Sequence, residues 1–440
     1  MHDIIAKVYP LIAEGAKVIT DSRTIESNSI FLALRGNHSD GNLFAVEAIE
    51  KGAILAIVDN PSVKQTDRIV KTYDCLATLH ELARHHRRNL TIPVIGITGS
   101  NGKTTTKELV SGVLSQKYKT LFTEGNYNNH LGLPITILNI TRSHEIAVIE
   151  MGANHMGEID LLCSIAMPTC GLITNIGKAH IEGFGSENNV IIAKTEMYRF
   201  LYKNNGLIFL NTDNDILSKN VSGKNLITYG KSNKSYYQGN VIEKQPFVKI
   251  VFTINSCQSG AKIPEPITIN TNLVGDYNFE NIMSAVAIGH YFGVLPDNIK
   301  QAIETYYPSN NRSQFKDSGK NHIIMDAYNA NPTSMMAALH NFSEMSSPRK
   351  ALILGDMLEL GHLSETEHNL VMEKAVESKP EKIILIGHEF EKVKIENSHI
   401  FKFPHYSDAI NWLHKNPLSG YTILIKGSRG MQLEKLEPLL

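Results

Sequence analysis

An α/β fold of three domains, the central one built on a parallel sheet, is what this 440-residue sequence predicts. Short apolar runs alternate with helical patterns along the chain, as parallel strands buried on both faces require. The segment 94–106, Val94-Ile95-Gly96-Ile97-Thr98-Gly99-Ser100-Asn101-Gly102-Lys103-Thr104-Thr105-Thr106, reads as strand, phosphate-binding loop and helix. The length suits two to four domains, and the 42% of hydrophobic residues can build their cores.

Residues 1–90 read as a first, small α/β unit. Apolar runs at 29–34 and 53–58 are its strands, and Leu76, Leu79 and Ala83 fall at helical spacing. The basic cluster Arg84-His85-His86-Arg87-Arg88 reads as the positive last turn of that helix with solvent beyond, in preference to a nucleic-acid patch. Pro93 marks the boundary.

Residues 91–308 form the central unit, with strands at 146–149, 170–174 and 206–210 and the phosphate loop at the edge where the strands end. The polar stretch 231–266 holds a period-two segment at 247–252, read as an antiparallel β insertion. Residues 309–440 form a C-terminal Rossmann-like unit with strands at 323–325, 351–354, 382–386 and 421–425. The polar loops after these strands would gather at one sheet edge, the expected place for a ligand.

Lys plus Arg (43) nearly balance Asp plus Glu (44), so a net charge of -1 offers no general attraction for nucleic acid or an anionic membrane. Met1-His2-Asp3 opens no signal peptide, and no apolar run approaches the roughly 18 residues of a membrane span. A cytoplasmic protein is expected. Cysteines 75, 163, 170 and 257 lack metal-site spacing and read as reduced, buried thiols without a disulfide or structural metal.

The chemistry concentrates around the loop. Backbone N–H groups near Gly99 and Gly102 can converge on phosphate oxygens, Lys103 can reach the outer phosphates, and the Thr104 hydroxyl can bind magnesium. Ile97 stands where the longer form of this motif has its first glycine, which leaves a short T-G-x-x-G-K-T variant. Glu150 ends a strand at the same edge, as a magnesium ligand, a helix cap or a surface charge. The loop 174–185 brings His180 near the phosphates if its strand adjoins the phosphate-loop strand. Lys194, in the run 192–196 that opens a helix, reads from the residues alone as a surface lysine with its stem packed along the helix.

Taken together, 98–105, 150–154, 175–186 and 193–196 resemble the Mur ligases, and within them the branch that adds a dipeptide. Supporting segments run in order along the chain: 21–23, 31–36, 40–41, 125–129, 326–332, 355–361 and 426–429. The resemblance implies transfer of the γ-phosphoryl of ATP to the terminal carboxylate of UDP-N-acetylmuramoyl-tripeptide. The acyl phosphate so formed would be attacked by the amine of D-alanyl-D-alanine, a step in making peptidoglycan precursors.

It further implies that Gly99, Ser100, Asn101, Gly102, Lys103, Thr104 and Thr105 cradle the nucleotide phosphates. Two Mg2+ ions are implied, one held by Thr104 and Glu150, the other shared by His180 and a carbamylated Lys194. Asn278 and Asn281 would contact adenine, with Tyr277 where a histidine is often found, and Arg312 and Asp326 would approach the nucleotide from the third domain. Ser22 and Arg23 would hold the UDP moiety, Asn128 and Asn129 the substrate, and Asn329, Asn331, Lys426, Ser428 and Arg429 the dipeptide. A monomer is expected. The alternatives are another amide ligase of this fold, such as a single-residue muramoyl ligase or a folylpolyglutamate synthase, and a P-loop switch or motor. Neutral charge, the missing basic stripe and the third α/β unit weigh against the last.

Overall fold

The computed structural model describes residues 2–36, 39–255, 265–395 and 397–440. Its described strands form three sheets. The first is parallel, in the order β1 (Lys17–Ile19), β2 (Ser29–Leu32), β3 (Ala53–Val58), β4 (Ile69–Lys71). The runs expected at 29–34 and 53–58 are β2 and β3, nearly all of whose side chains are buried.

The second sheet has nine strands: β5 (Val94–Thr98), β6 (Thr120–Phe122), β7 (Ile146–Glu150), β8 (Cys170–Ile173), β9 (Leu207–Asn211), β10 (Leu226–Gly230), β11 (Tyr237–Glu243), β12 (Lys249–Ile254) and β13 (Ile267–Asn270). Their order is β13-β12-β11-β10-β9-β8-β5-β7-β6. Because β5 lies between β7 and β8, with Ile97 opposite Glu150 and Thr98 opposite Ile173, the phosphate loop, Glu150 and the loop after β8 all leave from neighbouring strand ends. Close approach at this centre requires Gly171, where a Cβ would stand 2.7 Å from the Gly96 carbonyl oxygen.

The β insertion is antiparallel in β11, β12 and β13, but β11 pairs in parallel with β10, so it prolongs the central sheet. Phe247 and Val248 precede β12, and β13 lies beyond the expected stretch. Residues 256–264, with Cys257, lie outside the described residues. The other thiols, Cys75, Cys163 and Cys170, are buried and free, and burial pushes Cys170 up to about 12.

The third sheet runs β14 (Gln314–Asp317), β15 (His322–Asp326), β19 (Thr422–Lys426), β16 (Lys350–Gly355), β17 (Lys382–Ile386), β18 (Ile400–Phe403), with β14 antiparallel and the rest parallel. Sequence periodicity finds the four inner strands. It misses β14 and β18, edge strands that carry lysine and no fully buried side chain. Among the described residues no helix is long and apolar enough to cross a membrane.

The basic cluster corrects one expectation. Its helix, Cys75–Arg88, does end there, but His86 and Arg87 are buried and face protein, not solvent. Arg87 donates from Nε to Ala166 O at 2.8 Å and from Nη2 to Met167 O at 3.1 Å, at the C-terminal end of helix Glu158–Ala166. Those carbonyls have no partner within their own helix and carry the negative end of its dipole. His80 and His86 bond the carbonyls of His130 and Ile140 at 2.8 and 2.7 Å. The first unit is thus clamped to the second through backbone acceptors, which a periodicity pattern does not reveal. Arg87→Met should destabilise the protein by about 3 kcal/mol, since several buried charge-assisted bonds go at once. Urea unfolding checks this, and an unchanged midpoint would show that the clamp contributes nothing.

Candidate active site

A cavity of about 790 Å³ opens between the second and third sheets. Its floor is the phosphate loop. Gly99 (φ +144°) and Gly102 (φ +77°) take backbone conformations that favour glycine, and a Cβ on Gly102 would stand 2.5 Å from Asn281 Oδ1. The N–H groups of Ser100 and Asn101 are occupied by the carbonyl and the side-chain oxygen of Asn175 at 2.9 and 3.0 Å. These two residues therefore anchor the loop to the strand end beside it. The donors at the N-terminus of helix Lys103–Leu114, with Thr104 and Thr105 on the cavity wall, are left to face an anion.

Lys103 donates to its own loop, to Gly99 O at 2.7 Å and Ser100 O at 3.1 Å. Burial holds its ammonium below the ordinary lysine range, while the Glu150 charge pulls the other way. Glu150 is neither a helix cap nor a surface charge. It is 1% exposed, Thr104 donates to its Oε2 at 3.0 Å, and Asn128 donates to its Oε1 at 2.8 Å. Asn129, by contrast, uses its side-chain oxygen to accept from Leu131 and Gly132 N–H at the start of the next helix.

His180 stands at φ +54° before the short helix Ile181–Phe184, and its Nδ1 pairs with the Glu359 carboxylate of the third sheet's loops. Lys194 is the largest correction. It is 1% exposed and closes helix Glu187–Lys194, the next helix starting at Glu196. Its Nζ donates to Ala153 O at 3.1 Å and lies 5.3 Å from the centre of the Phe184 ring. Burial first, and the Lys103 charge second, push this amine well below the ordinary lysine range. Its apolar neighbours in the sequence hinted at this; what the sequence could not supply was the element that covers it.

Asn278 and Asn281 both line the cavity but are already bonded. Asn281 Nδ2 donates to Asn278 Oδ1 at 2.9 Å, its Oδ1 accepts from Thr106 at 3.0 Å, and Asn278 Nδ2 donates to Val274 O at 2.9 Å. The Tyr277 hydroxyl meets Ser313 Oγ at 2.8 Å.

The opposite wall comes from the third sheet. Arg312 is not a free surface charge: its guanidinium lies 3.6 Å from the centre of the Tyr328 ring, with its Nε buried and lacking a hydrogen-bond partner among the described residues. Arg429 approaches the same ring at 5.2 Å. Tyr328 is therefore a cavity residue that sequence reading passed over, although it sits within the segment 326–332. Asp326 accepts from Ser313 N at 3.2 Å and from Lys426 Nζ at 2.6 Å.

Lys426 and Ser428 are 2% and 3% exposed, and both have structural partners, Ser428 Oγ accepting from Leu358 N at 2.9 Å. Their polar groups brace loops. Asn331 caps helix Pro332–Glu344 and donates to Asn101 Oδ1 at 2.8 Å, tying the third sheet to the phosphate loop, while Asn329 Oδ1 accepts from Ala330 N. Ser22 and Arg23 do not line this cavity. Arg23, 85% exposed, pairs with Asp21, and the Ser22 carbonyl accepts from Lys51.

Three family models match the chain: "Mur ligase family, catalytic domain" over residues 11–92, "Mur ligase middle domain" over 97–289, and "Mur ligase, glutamate ligase domain" over 311–429. The UDP-N-acetylmuramoyl-tripeptide--D-alanyl-D-alanine ligase of Bacillus subtilis is 35% identical over 430 residues, 95% of this chain and 92% of the relative. The chain belongs to the Mur ligase family. Among solved structures, a MurF ligase of Thermotoga maritima in complex with ADP matches with a TM-score of 0.85 at 26% identity, over 98% of this chain and 97% of the other. MurF from Acinetobacter baumannii matches with a TM-score of 0.84 at 27% identity and the same coverage. The first and third sheets of this Mur ligase fall within the segments 11–92 and 311–429, and the second falls within 97–289 apart from the first three residues of β5.

Proposed function

We infer that this Mur ligase joins D-alanyl-D-alanine to UDP-N-acetylmuramoyl-tripeptide in peptidoglycan precursor synthesis, with ATP converted to ADP and phosphate. The B. subtilis relative bears that activity in its name along nearly the whole length, and the T. maritima relative is in complex with ADP. The observation in this chain that carries the reading is the Thr104–Glu150 contact at the start of the phosphate-loop helix, inside a cavity walled by two domains.

The division of labour follows. Residues 1–90 receive the UDP moiety near Ser22 and Arg23, 91–308 bind ATP, and 309–440 close on it and receive the dipeptide near Asn329, Asn331 and Arg429. The phosphates lie against the loop 99–105, with adenine toward Asn278 and Asn281. A hydroxyl and a carboxylate oxygen 3.0 Å apart suit magnesium, so Thr104 and Glu150 fit the first ion. Among the described residues no three His, Cys, Asp or Glu side chains gather as a metal site. A carbamate on Lys194, whose charged ammonium form burial disfavours, would add the carboxylate-like anion that a second ion near His180 needs. Bound there, the ions offset charge on the phosphates and on the attacking carboxylate.

The chain's own groups do the rest. Lys103 leaves the carbonyls of Gly99 and Ser100 for the phosphoryl group in transfer. Arg312, stacked on Tyr328, presents its guanidinium at the cavity wall, and Asp326 holds Lys426 beside it. The substrate carboxylate takes the phosphoryl group, and the dipeptide amine then displaces phosphate to form the amide. Closure matters because water would hydrolyse the acyl phosphate. The setting is cytoplasmic and the working unit a monomer, with no nucleic acid involved.

Phosphate release from ATP should require the tripeptide nucleotide and D-alanyl-D-alanine together, and mass spectrometry should show the joined product. Release that ignores both, or that DNA or RNA stimulates, overturns the reading in favour of a motor or switch.

A further inference from the structure

Glu359 makes a contact across the cavity that the chemistry above does not use. It belongs to the loop 356–360 of the third domain, and it grips the central domain at two points, His180 and the first turn of the helix Ile181–Phe184. Its carboxylate accepts from His180 Nδ1, and its backbone carbonyl accepts from Glu182 N at 3.1 Å. Both residues of the side-chain pair have left-handed backbones, φ +63° at Glu359 and +54° at His180. Residues with side chains hold such angles where their surroundings impose them, and such sites cluster at functional positions. Burial does not impose this one, because the Glu359 side chain is 52% exposed.

The residues before Glu359 are held from behind the loop. The Asp356 carboxylate accepts from Glu389 N and Phe390 N at 2.9 Å each. The wholly buried His368 accepts from Met357 N through Nε2 at 3.0 Å and donates through Nδ1 to Ser364 O at 2.7 Å. Ser428 Oγ accepts from Leu358 N at 2.9 Å. Three consecutive residues are therefore pinned from the third domain's interior, and the fourth, Glu359, is delivered to one place.

We propose that Glu359 is a positioning residue for ligation: docked with the third domain, it holds the Nδ1–H of His180 and so fixes the tautomer and orientation of that ring. A neutral imidazole held at Nδ1–H keeps Nε2 as its acceptor, and a carboxylate behind the ring is a common way to aim the working nitrogen. Domain closure and orientation of His180 are thereby a single event. The proposal rests on the functional reading for what Nε2 meets, but the contact and its effect on the ring do not.

The test uses the full chain with nitrogen-15 histidine and the variants Glu359→Gln, Glu359→Ala and Glu359→Gly. Without substrates, the parent should show His180 as the Nδ1–H tautomer, and Glu359→Ala should lose that preference. In ligation, Glu359→Ala should lower kcat about 10- to 100-fold, the range for loss of a group that orients a ligand, with little change in the KM for ATP. Glu359→Gln, which retains an acceptor oxygen, should recover most of the loss. Glu359→Gly relieves the backbone strain without restoring the acceptor and should behave as Glu359→Ala does. An unaltered His180 tautomer in Glu359→Ala, a kcat equal to the parent's, or parental behaviour of Glu359→Gly each overturns the proposal. A parent that fails to ligate these substrates overturns the functional reading instead, while the ring-nitrogen spectra still decide the contact.

Discussion

Lys194→Ala should reduce ligation to about a thousandth of the parent rate, the upper end for loss of one preorganised group in a closed site, and acetate or formate should restore part of it. A lysine with 1% exposure, whose Nζ has one carbonyl partner and an aromatic ring beside it, is in a poor place for a cation. Burial and the Lys103 charge both favour the neutral amine. A neutral amine adds its lone pair to the carbon of CO2 and gives up a proton, turning the side chain into an anion. The sign of the pH effect follows: carbamate formation releases a proton and needs unprotonated nitrogen, so it weakens as pH falls. Protein held at low pH under nitrogen and returned to assay should start slowly and recover with bicarbonate. Small carboxylates can occupy the space vacated in Lys194→Ala and return the anion without the covalent link. Full activity of Lys194→Ala in bicarbonate-free buffer would refute the carbamate role.

Much of the site was legible because its chemistry sits at strand ends. Gly99, Gly102, Lys103, Thr104 and Glu150 leave neighbouring strands, and an apolar run followed by a loop marks such positions from sequence alone. The illegible part depends on what lies opposite in space. Nothing in the run around Lys194 says that Ala153 and Phe184 cover it, and nothing in 84–88 says that the carbonyls of Ala166 and Met167 wait for Arg87. Tyr328 and Glu359 lay within recognised segments, but their roles need the facing partners Arg312 and His180. The same limit applied in reverse to Lys426 and Ser428. Their placement at the edge of the third sheet suggested ligand contact; Lys426 does line the cavity, bonded to Asp326, while Ser428 Oγ accepts from the Leu358 N–H, and neither partner could be read from the sequence.

Lys103→Met should lower kcat by about 100- to 1,000-fold, as expected for removal of a single donor aimed at charge that develops during the reaction, while leaving the folded protein as stable as the parent or more so. These opposite outcomes have one cause. In the structure the ammonium sits half-buried at the cavity floor, where desolvation disfavours its charge despite Glu150, and among the described residues its hydrogen-bond partners are the carbonyls of Gly99 and Ser100. Folding gains little from bonds that water would offer those carbonyls equally, and it bears the desolvation of the ammonium. Methionine keeps the stem's apolar contacts without that cost. Catalysis has no such substitute, because a phosphoryl group moving between two anions needs a positive charge at the loop. Single-turnover rates beside urea unfolding would measure both. A variant that loses stability in proportion to activity would mean that Lys103 works through the loop's structure, and its assignment to the transferring phosphate would then fail.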